Sequence, residues 1–231
     1  MVGFIDDYKK LILKDPEGLS PKKKIIGLFI VVIIFIVLYT SVFDLGTDII
    51  IPFLNQPINL SLGVFIAFTA FILLGTSNAI NFTDGLDGLA SGVVAIIITF
   101  FTVKAAFSGN VEMLILGSAS VGTCLGFLIF NVNPAKVFMG DTGSLALGGA
   151  IASIAIILKM PMYLAIVALL PVFEIISVVL QVAYFKITKG RRLFKMAPFH
   201  HHLELCGIKE NKIVIIFWAI TALLCIIANF I

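Results

Sequence analysis

The chain has 231 residues, 60% of them hydrophobic and 13% charged, a net charge of +3 and a mean hydropathy of +1.15. A soluble globular domain is about 45–50% apolar and about 25% charged, so that class is excluded. The lipid bilayer is the first expected partner, and no nucleic acid is expected.

A bilayer core of roughly 30 Å needs about 20 apolar residues in a helix. Lipid cannot satisfy free backbone amides, so each crossing has to be helical; the alternating pattern of a membrane barrel is absent. In chain order the predicted spans cover residues 25–43, 60–76, 88–107, 111–130, 144–158, 162–185 and 213–231. The fifth is the shortest. The predicted fold is an all-α polytopic membrane helix bundle of about seven transmembrane helices, one integral domain over 1–231. Polar segments near 1–24, 77–87, 131–143 and 186–212 separate the spans. The first apolar run begins at Ile25 and lacks a small-residue cleavage site, so it does not read as a cleavable leader. Short-loop bases set orientation. With the amino-terminal segment in the cytoplasm, fourteen of the sixteen Lys and Arg fall on that side, all but Lys104 and Lys159. The four polar segments then share one face.

The first segment contains "GFIDDYKK". Neighbours on a helix point about 100° apart, so Asp6 and Asp7 are expected to differ in role, one on a metal and one on a proton or second contact. The plainer reading is a charged face balancing Lys9 and Lys10. Next comes "NAINFTDGLDGLA", with Asn78, Asn81, Asp84 and Asp87 at a strict three-residue step. On a regular helix they would spiral across the surface; on a broken or 3₁₀ segment they would line one edge. Gly85 and Gly88 weaken the helix and permit close approach of a ligand. Helix capping is the plain alternative, but four regularly placed amides and carboxylates exceed what a cap needs.

In "NPAKVFMGDTGSLALGG", Asp141 precedes Thr142, Gly143 and Ser144 at the start of the fifth span. It reads equally as a cap and as a carboxylate holding Mg²⁺ against a diphosphate at a helix amino terminus. In the sixth span Pro171 predicts a kink. Three residues later Glu174 is an intramembrane acid, a functional candidate by default, although bonding freed backbone amides or Gln181 explains it structurally. Gly122 and Gly126 form a small-residue pair suited to helix packing. "APFHHHLE" holds every histidine: His200, His201 and His202. Three consecutive side chains cannot converge on one ion from a helix, and structural zinc wants spaced ligands; hydrogen bonding to an anionic or nucleotide substrate fits better. The three cysteines show no paired framework and read as free thiols. Together the clusters suit Mg²⁺ with a phosphorylated substrate: hard oxygen ligands for the ion and cations for the phosphates.

These four motifs, in this order, resemble the phospho-N-acetylmuramoyl-pentapeptide transferases, a branch of the polyprenyl-phosphate N-acetylhexosamine-1-phosphate transferases. The uninterrupted "PFHHHLE" favours that branch over the N-acetylglucosamine one. The resemblance implies Mg²⁺-dependent transfer of phospho-N-acetylmuramoyl-pentapeptide from UDP-MurNAc-pentapeptide to undecaprenyl phosphate, giving lipid I and UMP, on the cytoplasmic face of a bacterial inner membrane. It implies catalytic roles for Asp6, Asp7 and Asp141, with Asp6 as a base on the lipid phosphate. Asp141 would be the principal Mg²⁺ ligand, with Asp84 as a second. Asn78, Asn81, Asp84, Asp87, Lys10, His200, His201 and His202 would bind substrate. Direct and two-step transfer both stay open, as does a homodimer. The resemblance also implies three further helices ahead of the aspartate pair; without them, the chain alone is expected to insert but to transfer poorly. The rivals are another sugar-1-phosphate transferase of the same superfamily, a non-catalytic fragment and, more distantly, a transporter, for which no inverted repeat is evident.

Overall fold

A computed structural model describes residues 1–54 and 56–231. Its elements are α1 (Val2–Leu11), α2 (Pro21–Val37), a π-helical turn (Leu38–Val42), β1 (Asp48–Ile50), β2 (Pro57–Asn59), α3 (Leu62–Thr83), α4 (Leu89–Ser108) and α5 (Val111–Asn131). They continue with α6 (Gly140–Ile157), a 3₁₀ turn (Pro161–Tyr163), α7 (Leu164–Val167), α8 (Leu169–Ile187), α9 (Phe199–Leu205) and α10 (Glu210–Asn229). Among the described residues, seven helices are long and apolar enough to cross a membrane: α2 with its π turn, α3, α4, α5, α6, α8 and α10. The fold is all-α apart from the hairpin β1–β2, in which Ile49 pairs with Ile58 antiparallel.

The spans match the predicted ones with two informative shifts. α3 runs through Thr83, past the predicted end at residue 76, so Asn78 and Asn81 are helical, not in a loop. The helix stops at Asp84 (φ −80°, ψ 60°), and Gly88 at φ 78° turns the chain into α4. The predicted kink near Pro171 falls at Ala168 (φ −102°, ψ 20°). A proline ring clashes with the carbonyl four residues back and supplies no amide. Pro171 is therefore accommodated in the first turn of a new helix, and the break lies just ahead of it.

α4 is the central helix, with Leu89, Val93, Val94, Ile97, Ile98 and Phe101 essentially inaccessible. Between membrane helices apolar area gives little drive, and close packing through small residues matters more. The crossing of α3 and α6 shows this: a Cβ on Gly148 would stand 2.6 Å from Ser77 Cα and 2.8 Å from the Thr76 carbonyl oxygen. That contact fixes the two helices that carry the polar residues one turn further on. On the opposite side Lys159 ties the hairpin down, pairing with Asp48 Oδ1 at 2.8 Å and with the Leu45 carbonyl. Cys124 is buried, Cys225 half-buried and Cys206 exposed, all as free thiols.

Candidate active site

The ends of several helices and the loops between them meet at one face of the bundle. α1 lies backbone against backbone on the first turn of α6, because any side chain at Gly3 would strike the Asp141 carbonyl. α6 has no side-chain cap of its own; Asp7 supplies one from α1. Its Oδ2 accepts from the Thr142 amide at 2.8 Å and the Thr142 hydroxyl at 2.5 Å, and its Oδ1 from the Asp141 amide at 3.2 Å. Amides of a first helical turn need such acceptors, and a carboxylate there also complements the helix dipole.

Asp6 points away from that cap and is fully buried. Its Oδ2 pairs with Lys10 Nζ at 2.7 Å and Lys24 Nζ at 3.4 Å, and its Oδ1 accepts the Leu19 amide at 2.7 Å. Burial pushes its pKa up, but Lys10, the Leu19 amide and Lys24 overrule that and hold the carboxyl well below the usual range. Lys24 also pairs with Asp141, and Lys10 Nζ stands 4.0 Å from the same carboxylate. Asn81, near the end of α3, donates to Asp141 Oδ1 at 2.8 Å and to Ser144 Oγ at 2.9 Å. Carboxylate oxygens of Asp6, Asp7 and Asp141 come within 4.8 Å of one another.

Beside this cluster is a polar cavity of about 330 Å³ whose walls include Asn81, Asp84, Asp87, Asn131, Phe138 and Asp141. Burial, reinforced by the charges of Asp141 and Asp7, pushes the Asp84 carboxyl up to about 6. Asp87 is held through its Oδ2, which accepts from the Ala135 amide at 2.9 Å and from Asn133 Nδ2 at 3.2 Å. Glu210, at the start of α10, closes the latch: it accepts from the Asp87 amide at 2.8 Å and from Asn133 Nδ2 at 3.0 Å. Asn131 Oδ1 accepts from the Gly88 amide at 3.1 Å and the Ser91 hydroxyl at 3.0 Å.

The sequence of this chain matches the family described as glycosyl transferase family 4 over residues 1–159. It is 50% identical to the phospho-N-acetylmuramoyl-pentapeptide-transferase of Acetivibrio thermocellus, over 100% of this chain and 69% of that protein. The enzymes of the same name from Caldicellulosiruptor bescii and Clostridium perfringens are 46% and 49% identical, over 99% and 98% of this chain and 70% of each relative. The chain belongs to glycosyl transferase family 4, in its phospho-N-acetylmuramoyl-pentapeptide-transferase branch.

As a family 4 transferase, the chain brings most of its sequence-predicted site residues together, but not all. Asp6, Asp7, Lys10, Asn81 and Asp141 form one cluster, and Asp84 and Asp87 line the adjoining cavity. Asn78 does not take part: its side chain donates back to the Leu74 carbonyl at 2.8 Å. Asp84 lies outside the group of three acids. His200 is enclosed, its ring lying against Gly85 and its Nδ1 3.1 Å from Glu174 Oε2. His201 and His202 stay partly exposed, the first 2.6 Å from Glu204 Oε2, the second accepting the Lys195 amide at 3.1 Å. Lys24 was legible only as an orientation-setting base, Asn133 only as the first residue of the motif before α6, and Asn131 and Glu210 carried no signal beyond being polar at helix ends.

The donor set fits a hard divalent cation. Mg²⁺ takes carboxylate oxygens, and three lie within reach of one another. The ammonium group of Lys24, between Asp6 and Asp141, marks where positive charge is favoured.

Proposed function

We propose that this transferase moves phospho-N-acetylmuramoyl-pentapeptide from UDP-MurNAc-pentapeptide to undecaprenyl phosphate, releasing UMP and forming lipid I. The supporting observation is three carboxylates and two lysines gathered beside a polar cavity, where α1, α2, α3 and α6 meet. The reading also rests on the relatives that carry this activity in their name.

In this reading the cavity takes the uridine nucleotide. Asp87 is fixed through Oδ2, which leaves Oδ1 to accept from a base N–H, and the exposed ring of Phe138 offers a stacking face. Asp141 would hold Mg²⁺, with Asp7 and Asp84 beside it. An ion held there would supply positive charge against the diphosphate. Lys10 and Lys24 contact phosphate oxygens, which cations on flexible stems suit. An oxygen of the lipid phosphate attacks the phosphorus that bears the sugar; the bond from that phosphorus to the UMP oxygen breaks, and UMP leaves. A phosphate oxyanion needs little proton removal. Asp6, held strongly ionised, is a weak proton acceptor, and its part is to anchor the two lysines. His201 and His202, partly exposed, supply further donors to the anionic substrate.

The site then belongs to the cytoplasmic face of a bacterial inner membrane, and a homodimer is part of the proposal, read by cross-linking in native membranes. The deciding assay is Mg²⁺-dependent UMP release in detergent with undecaprenyl phosphate. It is run on the chain as it stands and on a chimera preceded by the helices the resemblance implies. Release by either supports the reading. Release only with UDP-N-acetylglucosamine reassigns the sugar, and uptake without UMP release points to a transporter. No release from either protein refutes the transfer.

A further inference from the structure

Glu174 and His200 form the one fully buried acid–histidine pair among the described residues. His200 Nδ1 lies 3.1 Å from Glu174 Oε2, and the His200 amide donates to the same oxygen at 3.4 Å. The short helix α9 has no side-chain cap from its own sequence, so Glu174, on α8, both receives the imidazole and ties down the start of α9. Two atoms of the pair, Glu174 Oε1 and His200 Nε2, are buried without a hydrogen-bond partner. Buried polar groups are nearly always paired, so this arrangement is costly if its only task is packing. The far edge of the imidazole meets Gly85: any Cβ there would collide with His200 Nε2. Gly85 lies between Asp84 and Asp87 and lines the polar cavity.

We propose that Glu174 is a positioning residue: through His200 it holds the Asp84–Asp87 segment in the place that gives the nucleotide cavity its shape. The proposal rests on the nucleotide reading of that cavity. The chain of contact is continuous. The Glu174 carboxylate fixes the ring with Nδ1–H towards itself; the ring, wedged between α8 and the acidic loop, stops the loop from collapsing inward. Glycine at position 85 is what lets the ring approach so closely. Such third-party orientation of an imidazole by a carboxylate is a general device, used here on a wall of the cavity instead of on a reacting atom. The geometry also accounts for an acid inside a span, where ionisable groups are expensive and face the bundle interior.

The test uses Glu174→Gln and Gly85→Ala, singly and together, in the protein form that binds UMP. Glutamine keeps the size and an acceptor for Nδ1–H but lacks the charge. UMP affinity is measured by calorimetry, KM values by UMP release, and integrity by thermal unfolding. Each single variant is expected to weaken UMP binding by at least about tenfold, the scale of one charge-assisted hydrogen bond. KM for the nucleotide substrate should rise in parallel and KM for the lipid phosphate should hold; the melting temperature should stay close to wild type in Glu174→Gln and fall modestly in Gly85→Ala, whose methyl group meets the buried ring. Because both changes act on one ring, the double variant should lose little more than either single one. Unchanged UMP affinity in Glu174→Gln would overturn the proposal, and so would losses that simply multiply in the double variant. Equal rises in both KM values, with a fallen melting temperature, would reduce Glu174 to a structural residue. Absence of UMP binding by the wild-type protein would instead remove the nucleotide reading itself.

Discussion

Gly148→Ala is the most direct probe of how the helix crossing sets the site. The added methyl carbon would sit 2.6 Å from Ser77 Cα and 2.8 Å from the Thr76 carbonyl oxygen. Ordinary carbon contacts are about 3.5–4.0 Å, so α3 and α6 have to separate by about 1 Å. The obstruction is backbone, and trimming the Ser77 side chain cannot relieve it. One turn along each helix, Asn81 donates to Ser144 at 2.9 Å and to Asp141 at 2.8 Å. A separation of about 1 Å takes both beyond hydrogen-bond length. Overpacking of this kind costs about 1–3 kcal/mol in stability, while a misplacement of about 1 Å at a reacting centre costs on the order of 100-fold in rate. The expected outcome is a modest fall in melting temperature and a much larger fall in UMP release. Gly149→Ala is the control, because its nearest neighbour is Ser77 Oγ at 3.4 Å, and it should remain near wild type. Full turnover in Gly148→Ala, or an equal loss in Gly149→Ala, would refute the link between the crossing and the site.

Cysteines placed next to Lys24, Lys136 and Arg192 should react with an impermeant reagent only from the cytoplasmic side; labelling of any one from outside would break the shared-face arrangement. Asp141→Asn, which removes charge but little volume, should abolish Mg²⁺-dependent UMP release while the protein still melts cooperatively, whereas a residue that only capped α6 would leave turnover largely intact. The two shifted carboxyls give opposite pH slopes in metal-free buffer. Between 3.8 and about 6 the folded protein keeps a proton on Asp84 that the unfolded chain has released, so stability should fall as pH rises through that window, and Asp84→Asn should remove the slope. Asp6, held low, contributes stability that is present above 3.8 and lost as pH falls below it; Asp6→Asn should flatten that acid limb in melting curves recorded against pH.

The spans were readable because a bilayer imposes one length and one hydrogen-bonding solution on every crossing. Pattern reading missed where helices stop. The end of α3 at Asp84 depends on Gly85 and Gly88, and the polar residues Asn78 and Asn81 gave no hint that the helix passes through them. At the site, the aspartates stood out because carboxylates are rare in so apolar a chain. The division of labour among them was hidden. Asp7 caps a helix 134 residues away, and Asp6 is sequestered by two lysines; both follow from the docking of α1 on α6, which no local spacing encodes. Likewise His200, one of three identical neighbours, differs from the others only because Glu174 and Gly85 enclose it.

The unequal setting of the three thiols has a practical consequence. Cys206 ends the histidine helix and is exposed, while Cys124 is buried and Cys225 half-buried within spans. A mild thiol reagent should therefore place a fluorophore or nitroxide at one native position without any engineered cysteine. Paired with a second label introduced near Phe138, on the cavity wall, it forms a ruler between the histidine helix and the cavity. Changes in that distance on adding nucleotide would report movement of the histidine helix relative to the cavity in real time, in a membrane, without following turnover.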